Sequence, residues 1–348
     1  MIKIALDAMG GDFGPEVTIK GAMEAIKAYD DLELYVYGDE KKIKPYLTST
    51  ERITIIQTDK VIDMGETDPI RVIRNQRDSS MVMALQSVKD GVTDGVVSAG
   101  PTQALIVGAH LVIRRMKGMH RVALAPIIPS FDRKGKILLD VGANVELRAE
   151  HILELATFAS VVAKSYLQRE NPTVGLINIG VEKGKGRQLD NESYELLEKS
   201  PHFTFVGNVE ANDILTNDAD VLINDGFTGN IVLKTMEGSM KTIGKILKQE
   251  ISSSLGGKIG YLFMKKNLNR FKKRFDPNEV GGAMIFGINH PVIKAHGASN
   301  SKAIFSAIGQ ARTFIKNDVV GEAAKLLKEI KIESEENNWI REKTKSRV

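Results

Sequence analysis

Three stretches of the 348-residue chain concentrate residue types that handle anions: DAMGGDFGP at 7–15, NIGVEKGKGR at 178–187 and DGFTGN at 225–230. Each sets glycines, which let backbone N–H groups come close to a ligand, beside carboxylates, amides or lysines at the end of an apolar run. In DGFTGN, Asp225 ends such a run, Gly226 turns the chain, Thr228 can cap, and Gly229 with Asn230 opens a long helical pattern. In NIGVEKGKGR, Asn178 and Gly180 precede Lys183, Lys185 and Arg187, a set of cations suited to phosphate oxygens. The expected ligand is an anion, with Lys185 and Thr228 as the leading side chains and Asn230 beside them. Asp7 and Asp12 would repel that anion unless neutralised, so both are read as organisers of the loops and their lysines. Gly10 and Gly11 between them let backbone approach, and Pro15 starts the next helix.

Other runs end in the same way: Ser98, Gly100 and Thr102 in SAGPT, Asp140 and Asn144 in DVGAN, Asn208 and Glu210 in GNVE, and Lys294 with His296 in KAHG. His296 is the histidine of interest, because it ends a run beside Lys294 and can donate to an oxyanion or a leaving group. Taken singly, such loops favour Gly, Asn and Asp simply because these tolerate unusual backbone angles and cap helices.

The runs themselves are short and β-branched: IKIAL (2–6), LELYVYG (32–38), RITIIQT (52–58), DGVVSAG (94–100), KILLDVG (136–142), TVGLINIG (173–180), FTFVGNVE (203–210) and ADVLINDG (219–226). They alternate with amphipathic stretches, which predicts an α/β fold with a mainly parallel, doubly wound sheet, helices on both faces and six polar turns gathered along one edge. Residues 1–332 are expected to form a single large catalytic domain with a helical hairpin inserted at about 227–280, and 333–348 a polar tail. After the insertion the strand pattern resumes at GGAMIFG (281–287) and PVIKAHG (291–297), followed by two helices over about 299–332.

Within the insertion, residues 251–275 hold seven Lys or Arg and no acid, although the whole chain carries a net charge of only +4. Ile259, Tyr261, Leu262, Phe263 and Met264 form an apolar tip among these cations, a combination suited to an anionic lipid surface. The same cations could receive an acidic carrier protein, or the apolar residues could pack in a dimer.

Several chemistries lack their residues. There is no cysteine, hence no disulfide or thiolate chemistry, which suits a reducing compartment. No P-loop, dinucleotide glycine fingerprint or G-x-S-x-G elbow occurs. The acids are scattered and no histidine pair has i, i+4 spacing, so no metal or other cofactor is expected. No leader-like segment opens the sequence, no run approaches a membrane span, and the mild charge gives no sign of a nucleic-acid partner; a cytoplasmic location is expected.

DAMGGD (7–12), SAG (98–100), LLDVGAN (138–144), VGNVEA (206–211), DGFTGN (225–230), LKTMEGS (233–239), GGA (281–283) and PVIKAHG (291–297) together make the chain resemble the bacterial phosphate acyltransferases of phospholipid synthesis. The resemblance runs from the first residue to about 315, with eight motifs in the family's order. It implies the fold shared by phosphate acetyltransferases and isocitrate/isopropylmalate dehydrogenases, and a homodimeric enzyme bound peripherally to the inner face of the cell membrane. The implied reaction joins a long-chain acyl group from acyl carrier protein to inorganic phosphate and passes the acyl-phosphate to a membrane glycerol-3-phosphate acyltransferase. The sequence departs from the family at Pro101 and Gln103, in SAGPTQA where relatives read SAGNTGA, and at Val181, where relatives tend to carry Thr. The backbone geometry or amide hydrogen bond supplied by the family's Asn and Gly, and the hydroxyl contact of its Thr, do not carry over. Competing readings are a phosphotransacetylase using acyl-coenzyme A, an NAD-dependent decarboxylating dehydrogenase of the same fold, and a non-catalytic scaffold at the membrane.

Overall fold

The computed structural model describes residues 1–274 and 281–330. The expected polar tail, 333–348, and the last residues of the expected insertion lie outside them. Eleven strands form one sheet: β1 (Ile2–Asp7), β2 (Leu32–Gly38), β3 (Ile53–Gln57), β4 (Gly95–Ser98), β5 (Ala123–Ile128), β6 (Lys136–Leu139), β7 (Thr173–Asn178), β8 (Thr204–Glu210), β9 (Val221–Ile223), β10 (Gly282–Phe286) and β11 (Val292–Ala295). Their order is β3-β2-β1-β4-β11-β10-β5-β6-β9-β7-β8.

Alternation along each strand feeds both faces of this sheet. In β1, Ile4 and Leu6 pack on one side with Ile19, Ala22 and Ile26 of the Gly14–Ala28 helix and Ile304 and Ile308 of the Ser301–Lys316 helix. Ala5 points to the other side, with Val82 and Leu85 of the Ser80–Lys89 helix. In the second half, Ile137, Leu139, Leu176 and Ile223 meet the Ala149–Ser165 helix, whereas Leu138, Ile177 and Leu222 meet Leu233 and Met236 of the Gly226–Ser252 helix. Helices on both faces are what near-continuously apolar strands require.

Seven of the ten strand pairings are parallel. The other three correct the expectation of a single edge of turns. β10 is antiparallel to both β11 and β5, and β5 is antiparallel to β6. The block β6-β9-β7-β8 therefore runs opposite to β3-β2-β1-β4-β11, and the polar strand ends form two groups. The sense alternates through β10, β5 and β6, and of these β5 is absent from the runs read off the sequence, because Pro126 interrupts ALAPII and a proline argues against an internal strand.

The inserted stretch is a pair of helices, Gly226–Ser252 and Leu255–Arg274, packed on each other and joined by Ser253 and Ser254. Ser254 turns the chain by accepting from Gly257 N at 2.9 Å through its Oγ and from Lys258 N at 3.1 Å through its carbonyl. Only Gly226 and Gly229 of the first helix are buried. The apolar tip residues lie along the second helix rather than in the connection. Leu255, Ile259, Leu262 and Phe263 recur at helical spacing as one exposed stripe, with Leu262 70% and Phe263 85% exposed.

Candidate active site

The first group of strand ends gathers β1, β4 and β11. Asp7, 1% exposed, accepts from Met9 N and Gly10 N, both at 3.3 Å, and from Ser98 Oγ at 2.6 Å. Ser98 Oγ in turn accepts from Gly100 N at 3.0 Å, so one carboxylate and one hydroxyl tie two loops together. The loops touch so closely that a Cβ on Gly10 would stand 2.6 Å from Gly100 N. Asp12 is exposed, and its N–H donates to Gly297 O at 2.8 Å, joining the β11 loop to the group.

Lys294, on β11, is buried at the centre of this group and donates from Nζ to Ala295 O and, at 3.4 Å, to Ala99 O. Burial pushes its ammonium down to about 8, against the opposing pull of the Asp7 and Asp12 carboxylates. His296 follows two residues later and is exposed. Its Nδ1 accepts from Ala298 N at 3.1 Å, which leaves the ring proton on Nε2. Thr102 opens the Thr102–Gly108 helix, half-buried, with Pro101 at the cap position.

The second group gathers β6, β7, β8 and β9. Asp140 is fully buried and accepts five bonds, from Leu124 N, Gly142 N, Ala143 N, Asn144 N and Asn144 Nδ2. Burial pushes its carboxyl up, while those donors favour the charged form. Asn144 O accepts from Gly226 N at 2.8 Å, bringing in the long helix. A Cβ on Gly229 would stand 2.0 Å from Asp140 O, so only glycine fits the closest approach of this helix to the sheet. Asp225 caps the helix by accepting from Thr228 N at 2.7 Å.

Amides lock the neighbouring loop. Asn178 Nδ2 donates to Lys185 O and to Asn208 Oδ1, both at 3.1 Å, and Asn208 Nδ2 donates to Glu182 O at 2.9 Å. Arg187 bridges Asp190 at 2.8 Å and Asp225 at 2.6 Å, and these two carboxylates, Asp190 first, raise its pKa. The three cations of this loop thus part company. Lys183 turns to Glu198 at 2.6 Å and stands over the Tyr194 ring, and Arg187 is held by two aspartates. Lys185 is exposed, and its ammonium makes no hydrogen bond or ion pair among the described residues. Thr228 and Asn230 lie half-buried and exposed on the first turns of the helix, and Gly180 sits against the Lys185 stem. Glu210 ends β8 and is half-buried.

Comparison with known proteins identifies the lineage. A family model described as "Fatty acid synthesis protein" matches residues 2–322. The chain is 48% identical over 330 residues to a phosphate acyltransferase of Acholeplasma laidlawii, covering 94% of this chain and 99% of that one. The protein belongs to the phosphate acyltransferase family. A phosphate acyltransferase of Bacillus cereus is 46% identical across 92% of this chain and 96% of its own. Among solved structures, a phosphotransacetylase from Streptococcus pyogenes superposes with a TM-score of 0.59 at 18% identity, covering 90% of this chain and 94% of its own, a likeness of fold.

As a phosphate acyltransferase the protein is an enzyme of lipid synthesis, and both groups of strand ends belong to the matched region. Sequence reasoning missed Asp190, which holds Arg187 and accepts from Arg187 N at 2.8 Å. Asp190 fills the third helical position after the cap, but the cap residue is Arg187 rather than the Ser or Thr of a capping-box pattern, so the letters carried no such signal. It also missed Glu182, whose carbonyl anchors Asn208, and no residue-type pattern announces a backbone contact of that kind. Among the described residues, no group of three or more His, Asp or Glu is gathered as a metal site would need.

Proposed function

We propose that the enzyme transfers a long-chain acyl group from the thioester of acyl carrier protein to inorganic phosphate, and that the acyl-phosphate passes to a membrane glycerol-3-phosphate acyltransferase. The observation that carries this reading is Lys185. It is the cation of a glycine-rich loop whose backbone is fixed by Asn178 and Asn208, and its ammonium is not engaged by a carboxylate, unlike Lys183 and Arg187.

In this reading Lys185, Thr228 and Asn230 hold phosphate, while Asp140, Asn144 and Asp225 keep the loops in place. A phosphate oxygen attacks the thioester carbonyl carbon, forming the C–O bond and a tetrahedral oxyanion. Collapse breaks the C–S bond, and the carrier's sulfur leaves and takes up a proton. Positioning and oxyanion stabilisation are then the protein's whole contribution, with no covalent nucleophile of its own. His296 Nε2–H faces the oxyanion and Lys294 supplies positive charge behind it. A right-handed twist of roughly 20–25° per strand turns β9 by about 90° relative to β11, so strand ends of opposite sense can address one cleft. The working form is a homodimer in the cytoplasm, resting on the inner face of the membrane through the exposed helical stripe.

The test is an acyl-phosphate assay on the purified chain with phosphate and either acyl-carrier protein or acetyl-coenzyme A. Acyl-carrier protein is the expected donor, and preference for acetyl-coenzyme A would make the enzyme a phosphotransacetylase instead. Lys185→Ala should raise the phosphate KM by about tenfold or more, the worth of one charge-assisted hydrogen bond. Unchanged KM and kcat would remove Lys185 from the site.

A further inference from the structure

A cavity of about 590 Å³ lies where the end of the Leu255–Arg274 helix crosses the β5–β6 turn. Ile127, Ile128 and Pro129 form one wall, Tyr166 and Leu167 a second, and Asn267, Arg270, Phe271 and Lys273 the helical side. None of these residues belongs to the two loop groups described above. The walls are apolar, the rim is cationic through Arg133, Lys134, Arg270 and Lys273, and among the described residues no acidic side chain lines it. The nearest carboxylate in sequence, Asp132, is engaged by Ser130 Oγ, Lys134 N and Arg169 Nη2.

We infer that this cavity binds one long acyl chain that carries an anionic head group. Three observations on the molecule argue for that occupant. An apolar interior excludes a purely ionic ligand, because an ion there would lose its hydration without compensation. Four rim cations, with no lining acid among the described residues, favour a negative head over a neutral one. The volume falls in the range of roughly 300–1,000 Å³ that takes a single small ligand, and a two-chain phospholipid would need about twice the room of one chain. The cavity also lies at a reachable place. Pro126, Ala283 and Lys294 pair in one row across β5, β10 and β11, so Ile127 and Ile128 stand just beyond that row, two strands or about 10 Å from Lys294.

The inference does not depend on the acyl-transfer reading, and its test omits both thioester and phosphate substrate. Binding of palmitate, hexadecyl phosphate and 1-hexadecanol to the full chain is measured by titration calorimetry below their aggregation limits. Palmitate and hexadecyl phosphate should bind at one site per chain, at least tenfold more tightly than the alcohol. Asn267→Trp, on the exposed helix, should block the cavity and abolish binding. Arg270→Glu with Lys273→Glu should weaken both anions by tenfold or more and leave the alcohol unchanged. Leu262→Glu with Phe263→Glu, at the other end of that helix, should bind all three as the parent does. Binding that survives Asn267→Trp, or that is lost with the Leu262/Phe263 pair instead, overturns the assignment. Equal affinity for acid and alcohol would also overturn it, as would no binding by the parent. Circular dichroism of each variant separates loss of binding from loss of fold.

Discussion

At the scale of the residue, Lys294 is the group whose environment most changes its chemistry. Held at about 8, it is cationic below that pH and neutral above it. If its charge supports the oxyanion, kcat should fall as pH rises through about 8. Lys294→Met should lower kcat and remove that limb, and Lys294→Arg should carry it to higher pH. A parent profile flat from pH 7 to 9.5 would dismiss the role. The same shift has a stability consequence. The folded pKa lies below the unfolded one, so the unfolded chain binds the proton more tightly, and charge burial costs the fold most below about pH 8. The parent's stability relative to Lys294→Met should therefore rise as pH goes from about 8 to 10.5, by 2–3 kcal/mol. Urea unfolding at several pH values would measure it. At this scale the sequence was informative about type and silent about state. KAHG marks a loop worth watching, but nothing in its letters says that Lys294 is buried while His296 two residues later is exposed. Burial is decided by how the β1 and β4 loops close over β11, and that is a long-range contact. Likewise Lys183, Lys185 and Arg187 look alike in NIGVEKGKGR, and only the positions of Glu198, Asp190 and Asp225 distinguish them.

At the scale of the element, Asp225 shows how one side chain joins a helix to a loop. Its carboxylate caps the Gly226–Ser252 helix through Thr228 N and pairs with Arg187. Asp225→Ala should cost about 2 kcal/mol in urea unfolding, about 1 from the cap and up to about 1 from an ion pair whose arginine is half-exposed. Asp225→Asn keeps a capping oxygen and should cost less than half as much. Equal losses would mean that the ion pair, not the cap, is what the helix needs. Strands and helices of this kind were readable because apolar period and turn residues act locally. LELYVYG is β2 to the residue, whereas the long helix starts at Gly226 under an Asp225 cap, ahead of the Gly229–Asn230 opening and the Thr228 cap expected from DGFTGN. Strand direction was not readable, since a parallel and an antiparallel buried strand have the same apolar pattern. The strands β10 and β6 gave no sign of their reversed sense, the proline in β5 hid the strand between them, and a single row of turns became two groups.

At the scale of the whole molecule, charge is distributed as sharply as shape. The stretch 251–275 carries seven cations, so a chain at +4 overall leaves the remainder at −3. In the proposed membrane contact, an anionic surface would draw the hairpin in and hold the body off, orienting the enzyme before any apolar contact forms. The exposed stripe of Leu255, Ile259, Leu262 and Phe263 lies on the same helix as Lys258, Lys265 and Lys266, the pairing of apolar and basic residues that the proposed contact requires. The two contributions separate by salt, because the Debye length falls from about 10 Å at 0.1 M to about 3 Å at 1 M, while apolar burial persists. Flotation with anionic vesicles should show strong binding of the parent at low salt and weaker but measurable binding at about 1 M. Replacing Lys258, Lys265 and Lys266 by Gln should reduce the low-salt binding and leave the high-salt residue intact. Leu262→Glu with Phe263→Glu should abolish the high-salt residue, and if that variant floats as well as the parent, the helix does not enter the bilayer. Its acyl-phosphate synthesis from soluble substrates should stay at the parental rate, since the stripe lies outside both loop groups. A parallel loss of that activity would place the helix in the reaction rather than at the membrane.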